Sequence, residues 1–231
     1  MSDLSDVIRI LPTMKSGGEL LSALEVLPEY DDAICDADAP VRLMALSDLY
    51  RVYVPNQMSL EIYSKLYLAL MRSLQKKGTK LAVQQKNQNF KAIMQQEYSG
   101  IMGGSDSFTI IGASGIGKSS AISRAITLIT ENRIIDVEQP YTKIIPCICV
   151  QCPFDSSVKG LLLEILRKVD EVIGGNYYPN ALRARTTTDM LIGSVSQVAL
   201  NHIGLLVVDE IQNVCNSKNG KSLVGMLTQL I

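Results

Sequence analysis

The chain has 231 residues, of which 47% are hydrophobic and 19% charged, and its formal net charge is −1. This length is sufficient for one sizeable hydrophobic core and a smaller accessory region. The balanced charge excludes a globally basic nucleic-acid-binding protein, and no apolar run of about 18 residues predicts a membrane span. Residues 1–10 lack the basic flank and long apolar stretch of a signal peptide, so we expect a cytoplasmic protein without a membrane partner.

Residues 1–70 form an acidic arm with eleven acidic and five basic residues. Prolines at positions 12, 28, 40 and 55 interrupt the arm, which favours short elements over one long helix. From Met58 to Ser73 apolar residues recur at helical spacing and predict an amphipathic helix that packs on the core. We expect residues 1–100 to form an accessory, partner-binding region and residues 101–231 to form a second domain.

The segment from Arg72 to Gln96 holds six basic residues, has no acidic residue and is rich in Gln and Asn. Two interpretations remain open: a solvated polar helix, or a surface that meets nucleic-acid phosphates, because clustered cations release counterions on binding. Lys76, Lys77 and Lys80 are the candidate DNA contacts. The segment has no aromatic-rich platform for reading bases, so we expect such binding to tolerate different sequences.

Residues 112–119 read GASGIGKS and fit the phosphate-binding pattern G-x-x-x-x-G-K-[ST]. The apolar run 107–111 predicts a buried strand before them, and residues 120–129 predict a helix after them. A glycine turn at a helix N-terminus presents backbone N–H groups to an anion. The candidate nucleotide-binding residues are Gly112, Ala113, Ser114, Gly115, Ile116, Gly117, Lys118, Ser119 and Ser120.

Two side chains of this loop offer further chemistry. Lys118 can reach the β and γ phosphates and is a candidate catalytic residue, and the Ser119 hydroxyl can ligate Mg²⁺. The expected ligands are therefore ATP and Mg²⁺.

The next elements are a core strand over residues 143–151, a helix over residues 157–173 that ends at Gly174, and a helix over residues 188–201. Three cysteines (147, 149 and 152) lie on this strand and in the turn after it. A zinc site would need a fourth ligand at a suitable spacing, and the single histidine, His202, is fifty residues from the last of them, so buried or turn thiols are favoured.

Residues 205–210 read LLVVDE, an apolar run typical of a strand buried in a parallel sheet that ends in two carboxylates. Asp209 is the candidate Mg²⁺ partner, and Glu210 is the candidate catalytic base that polarises the attacking water. An acidic strand end that merely faces solvent is the alternative. Together the two motifs predict an α/β P-loop NTPase, with a parallel sheet flanked by helices and a third strand between the two motif strands in the sheet.

Five stretches of this sequence resemble the TnsC/TniB family of AAA+ ATPases, which regulate the selection of transposition targets. They are LEVLPEY (24–30), YVPNQMSLEIYSKLYLALMRSLQKKG (53–78), FTIIGASGIGKSS (108–120), CICVQCPFDSSVKGLLLEILRKVD (147–170) and IGLLVVDEIQNVCNSKNGKS (203–222). The resemblance implies an ATP-dependent protein that assembles into homo-oligomeric rings or filaments on double-stranded DNA, with a transposase and target-selector proteins as partners. It places the Walker A function on Gly112, Gly117, Lys118 and Ser119, and the Walker B function on Asp209 and Glu210.

An AAA+ module of this kind should continue with a sensor strand, an arginine finger and a helical lid, whereas this sequence ends in the helix after Walker B. We therefore expect a core that is incomplete at the C-terminus, binds nucleotide poorly by itself and hydrolyses it slowly, because such an arginine contributes strongly to phosphoryl transfer. Unpaired sheet edges would favour self-association. Two other functions remain open: a helicase-loader-like or other mobile-element ATPase, and a non-catalytic interaction fragment. Stimulation of a transposase or of a helicase separates the first of these from the main hypothesis.

Overall fold

The computed structural model of the chain describes residues 11–77, 80–94, 96, 107–137, 142–183, 186–216, 218 and 220–230. Residues 1–10, where no signal peptide is expected, and the side chain of Lys80 lie outside the described residues. The chain divides into two compact units that interleave in sequence. The glycine-loop unit comprises residues 13–67 and 111–131, and the sheet unit comprises residues 1–12, 68–110 and 132–231. A domain boundary near residue 100 stays a prediction.

Helices dominate the described residues. They are α1 (Gly17–Leu24), α2 (Ala39–Ser47), α3 (Gln57–Lys77), α4 (Lys80–Ile93), α5 (Lys118–Thr130), α6 (Val158–Ile173), α7 (Tyr177–Arg183), α8 (Thr188–His202) and α9 (Gly220–Leu230), with 3₁₀ helices at Asp32–Asp36, Asp48–Arg51 and Ile211–Asn216. The strands are β1 (Ile135–Val137), β2 (Thr142–Gln151) and β3 (Ile203–Asp209). The helices predicted at 58–73, 120–129, 157–173 and 188–201 are confirmed, as are the strands at 143–151 and 205–208. Within the described part of the chain, no helix has both the length and the apolar character that a membrane crossing requires.

The three strands of the described residues form one sheet in the order β1-β2-β3. β2 and β3 are parallel, with Cys147 opposite Leu205 and Gln151 opposite Asp209. β1 is antiparallel to β2, so the expectation of an entirely parallel sheet is wrong at this edge. The α/β class is correct.

The strand predicted at residues 107–111 is wrong, because these described residues have no regular secondary structure. Ile111 is 89% exposed, so the apolar run is not buried as a parallel strand would be. A strand needs a neighbouring strand to bond its N–H and C=O groups, and none pairs with this run among the described strands. The sequence predicts a third strand between the strand before the glycine loop and the strand that ends at Asp209. Because the first of these strands is not formed, this order does not occur in the described sheet.

The core of the sheet unit lies between the sheet and the helices α6 and α8. The Ser157 side chain accepts a hydrogen bond from Gly160 N and so caps the start of α6, and Gly174, with φ of 73°, ends the helix in the left-handed conformation. Burying each large apolar side chain stabilises the fold by about 1.5–3 kcal/mol. The fully buried members include Leu161, Leu162, Ile165, Leu166, Val169, Leu191 and Val195.

In the glycine-loop unit, the short elements expected for the arm are confirmed for residues 13–67. Helix α1 is held to α5 by Arg124, whose guanidinium donates to Leu24 O (3.1 Å) and Ala23 O (3.4 Å). These acceptors are carbonyls at the C-terminal end of α1, which a cation satisfies well. The arm is thus attached to the helix that follows the glycine loop.

Two glycines of α9 provide a matched test of packing. A Cβ at Gly220 would lie 1.9 Å from Val214 O, whereas a Cβ at Gly225 would meet no atom within 4 Å. We expect Gly220→Ala to lower the free energy of unfolding by about 1–3 kcal/mol, because backbone must move to admit the methyl group. Gly225→Ala should leave it unchanged or raise it by up to about 1 kcal/mol, since alanine favours a helix. Urea unfolding of both variants checks this, and equal effects would contradict the close contact.

Candidate functional site

The glycine loop turns tightly into α5. Gly115 and Gly117 have φ of 84° and 88°, left-handed conformations that glycine adopts without steric cost. A Cβ at Gly112 would lie 2.5 Å from Ile116 Cδ1, within the loop itself. The backbone therefore favours glycine at Gly115 and Gly117, as the sequence pattern predicts, whereas at Gly112 a Cβ would displace only the end of the exposed Ile116 side chain.

Lys118, the first residue of α5, folds back over the loop. Its Nζ donates hydrogen bonds to Gly112 O (2.9 Å) and Ala113 O (2.8 Å). Both acceptors are neutral carbonyls, whereas a phosphate oxygen carries negative charge and attracts the ammonium by a full charge–charge interaction as well as by a hydrogen bond. A phosphate placed in the loop can therefore take this ammonium from the two carbonyls.

The N-terminus of α5 fits an anion. The residue before the helix is Gly117, which has no side chain to occupy the first N–H groups, and the first turn contains no acidic residue. These N–H groups and the positive end of the helix dipole favour negative charge. Ser119 and Ser120 lie exposed in this turn, beside the exposed loop residues Ala113 and Ser114. All of the predicted nucleotide-binding residues thus lie in one segment whose geometry suits phosphates.

The second motif lies at the C-terminal end of β3 in the sheet unit. Asp209 is the last residue of the strand, and its Oδ1 accepts a hydrogen bond from Glu210 N (2.8 Å). Glu210 is exposed, has φ of 56°, and receives a hydrogen bond on Oε2 from Gln212 Nε2. A left-handed conformation is uncommon for a residue with a Cβ, and such outliers concentrate at functional sites.

The glycine loop and the Asp209–Glu210 pair belong to different compact units. Within each unit, the structure brings the predicted residues of that motif together. Joint ligation of Mg²⁺ by Ser119 and Asp209 stays a prediction, as does the catalytic role of Glu210.

A comparison with protein families complements this geometry. The family described as AAA domain matches residues 101–230, which is more than half of the chain and includes both motifs. The chain belongs to this AAA domain family. Membership supports nucleotide binding and a generic ATPase function, and it makes the chain a P-loop protein of the AAA type. A comparison with curated proteins finds no match.

The three lysines predicted to contact DNA have different surroundings in this AAA protein. Lys76 is exposed near the C-terminal end of α3. Lys77 instead points into the sheet unit, where its Nζ donates to Ala199 O (2.8 Å) and Leu200 O (2.9 Å) near the end of α8. Lys80 begins α4, and its side chain lies outside the described residues. The ammonium of Lys77 is thus engaged with helix carbonyls, and DNA contact by the cluster stays a prediction.

The partly buried position of Lys77 predicts that the stability of the fold depends on pH. Burial, and then the charge of Lys86, lowers the pKa of Lys77 from 10.5 to about 7. Between these two values the unfolded chain binds one more proton than the folded chain, so this group makes the fold more stable as pH rises from 7 towards 10.5. Below pH 7 both forms are protonated and the contribution is constant.

Lys77→Met keeps the apolar stem and removes the titrating amine. We expect the free energy of unfolding of the wild type to rise relative to this variant by up to about 1.4 kcal/mol per pH unit above pH 7. Urea unfolding of both proteins at pH 7.5, 8.5 and 9.5 measures the difference between their free energies of unfolding. The contributions of the other titrating groups cancel in this difference. A difference that does not change with pH would contradict a buried, titrating Lys77.

Sequence reasoning missed a buried polar contact between α4 and α8. Gln85 and Asn89 are 4% and 3% exposed, and Gln85 Nε2 donates to Asn89 Oδ1 (2.8 Å). Asn89 Nδ2 in turn donates to Ser196 Oγ (3.0 Å). The polar residues of α4 therefore form part of its packing face, which neither a solvated helix nor a DNA-binding surface predicts.

The cysteines of β2 also interact in a way that spacing alone does not reveal. A hydrogen bond with the Cys147 thiol lowers the pKa of Cys149, and the same bond together with burial raises the pKa of Cys147. Cys149 is exposed on the sheet face that also carries Asp209, since Cys149 pairs with Val207 and Gln151 with Asp209. All five cysteines are free thiols.

Proposed function

We propose that this AAA protein binds ATP with Mg²⁺ and hydrolyses it to ADP and phosphate. The observation that carries the proposal is the pair of motifs: a glycine loop with an uncapped helix N-terminus, and a strand that ends in Asp209 and an exposed Glu210. Phosphoryl transfer depends mainly on positioning and on stabilising charge, which are the tasks that these groups perform.

Each residue has a distinct role in this proposal. Backbone N–H groups of residues 113–119 hold the phosphates, and the Lys118 ammonium moves from the loop carbonyls to the β and γ oxygens. The Ser119 hydroxyl and the Asp209 carboxylate hold Mg²⁺, which when bound neutralises charge on the phosphate oxygens. Glu210 accepts a proton from the water that attacks the γ phosphorus.

We further propose that ATP binding controls assembly on double-stranded DNA, and that the assembly recruits or activates a transposase. The support for this is the resemblance of residues 24–30, 53–78, 108–120, 147–170 and 203–222 to the TnsC/TniB family, together with the acid-free segment Arg72–Gln96. Of the three candidate lysines, Lys76 has an exposed side chain in this segment.

A salt titration tests the DNA contact. Changing Lys76 and Lys80 to Glu should weaken binding to every duplex sequence about equally, because phosphate contacts carry no sequence information. Each lost contact should reduce the slope of log K against log salt concentration by about 0.9. Lys77 is left unchanged, since its ammonium contacts α8. The measurement is fluorescence anisotropy of labelled duplexes at several salt concentrations, with the protein assembled by a non-hydrolysable ATP analogue.

Lys65→Glu is the matched control, because Lys65 is also an exposed lysine of α3 but precedes the acid-free segment. It should keep the wild-type slope. If the Lys76/Lys80 double variant keeps the wild-type slope of log K against log salt concentration, then these lysines do not contact DNA. They would instead keep the protein soluble or contact a protein partner.

A further inference from the structure

The residues that follow Glu210 are tied to the loop that follows β2. Three different groups of Asn213, which lies in the 3₁₀ helix Ile211–Asn216, form hydrogen bonds with nearby residues. Its backbone N donates to Glu210 O (3.0 Å), its side-chain Nδ2 donates to Cys152 O (3.0 Å), and its carbonyl accepts from Ser156 Oγ (2.8 Å). All of these groups belong to the sheet unit.

These bonds close a ring at the end of the sheet. Cys152 N donates to Asp209 O (2.9 Å), which extends the parallel pairing of β2 and β3 by one step. The ring therefore runs from Asp209 to Glu210, through Asn213 to Cys152, and back to Asp209. The side-chain amide of Asn213 is the one member of this ring that a substitution can remove without altering the backbone.

Two residues held by Asn213 adopt left-handed conformations. Glu210 has φ of 56°, and Ser156, which is fully buried, has φ of 53°. Such conformations cost free energy for a residue with a Cβ and persist where the surrounding contacts fix them. Asn213 bonds to both residues through its own backbone N and O, and its side-chain amide anchors that backbone to Cys152 O. The amide therefore helps to fix the backbone that directs the Glu210 side chain.

We propose that Asn213 is a positioning residue for Glu210, and that its side-chain amide supports ATP turnover rather than nucleotide binding. The inference rests on the proposed function, in which Glu210 acts as the base. The 3₁₀ helix also carries Gln212, which donates to the Glu210 carboxylate. Release of Asn213 from Cys152 O would therefore shift both the backbone and a hydrogen-bond partner of the base.

Single-turnover phosphate release by the full chain, with protein in excess over ATP, tests the proposal. Asn213→Ala should lower the rate about 10- to 100-fold, the range that a displacement of about 1 Å costs. The dissociation constant of a fluorescent ATP analogue should stay within about twofold of the wild type, because the phosphates bind in the glycine loop. An unchanged rate, or a loss of nucleotide affinity equal to the loss of rate, would overturn the proposal.

A double-mutant cycle with Glu210→Gln distinguishes positioning from a general structural effect. If Asn213 acts through Glu210, then Asn213→Ala should cause no further loss of rate in the Glu210→Gln background. The same fold-loss in both backgrounds would show that Asn213 acts independently of the base. A Glu210→Gln variant that turns over normally would reject the proposed function itself, which is a separate result.

Two further variants control for folding. Asn89→Ala removes a second hydrogen-bonded asparagine side chain of the sheet unit, the buried one on α4, and should lower the melting temperature without changing the turnover rate. If Asn213→Ala does not fold, then Asn213→Asp replaces it, because the carboxylate keeps the shape and loses the donor to Cys152 O. This variant must show the same loss of rate, and wild-type turnover in it would overturn the proposal.

Discussion

Replacing Lys118 with alanine is expected to abolish binding of Mg²⁺-nucleotide while the fold is retained. The substitution removes the one lysine of the glycine loop, and its present partners are two carbonyls at an exposed site. Each of these hydrogen bonds contributes about 0.5–1.5 kcal/mol to stability, whereas phosphate adds a full charge–charge attraction to the ammonium. Equilibrium titration with a fluorescent ATP analogue measures the affinity, and a thermal melt measures the stability.

Lys159→Ala is the matched control, because Lys159 is an exposed lysine in the first turn of another helix, α6. This variant should bind nucleotide as the wild type does. If Lys118→Ala is as stable as the wild type and binds the ATP analogue with unchanged affinity, then the assignment of residues 112–119 as the phosphate-binding site is wrong.

Glu210→Gln is expected to keep nucleotide binding and to stop turnover. The amide retains the size of the carboxylate but cannot accept the proton of the attacking water. Because general base catalysis typically contributes roughly 10²- to 10⁴-fold, we expect the turnover rate to fall by about this factor. The ATP-bound assembly should consequently stay on DNA longer than the wild type. Phosphate release and retention on immobilised duplex DNA are the two measurements.

A suitable control for this variant is Glu131→Gln. Glu131 is also an exposed glutamate in a left-handed conformation, with φ of 48°, but it lies at the C-terminal end of α5. Its substitution should leave the turnover rate unchanged. Normal turnover by Glu210→Gln would show that another residue acts as the general base.

Much of this fold follows from local sequence patterns. Helix α6 is apolar at every helical turn, has Ser157 as its cap and ends at Gly174, so its bounds follow from residues that lie within the helix or next to it. The apolar run of β3 likewise predicts the strand that ends at Asp209, although its residues 205–209 are half-buried and not fully buried as the run predicts. In the glycine loop, the sequence pattern itself specifies the left-handed positions at Gly115 and Gly117.

The remaining features depend on partners that are distant in sequence. The run 107–111 has the composition of a strand but no strand pairs with it in the described sheet, and composition does not determine pairing. Lys77 contacts carbonyls more than 120 residues away, and Asn89 contacts Ser196 across 107 residues. No periodicity in α3 or α4 reveals such contacts, which is why a segment rich in Lys, Gln and Asn was expected to face solvent or DNA.

The ring around Asn213 depends on the same kind of distant contact. Asn213 lies 61 residues from Cys152 and 57 residues from Ser156. The motif predicts the roles of Asp209 and Glu210 because these two residues are adjacent in sequence. It does not indicate which side chain holds them in place.

Backbone amide NMR of the chain tests directly whether the loop at residues 112–119 binds the phosphates of a nucleotide. On titration with Mg²⁺ and a non-hydrolysable ATP analogue, we expect saturable shifts that are largest for the N–H groups of Gly115, Gly117, Lys118 and Ser119, because these groups would donate to phosphate oxygens. Saturable binding whose largest shifts lie elsewhere in the chain, with this loop unchanged, would show that the phosphates bind at another site.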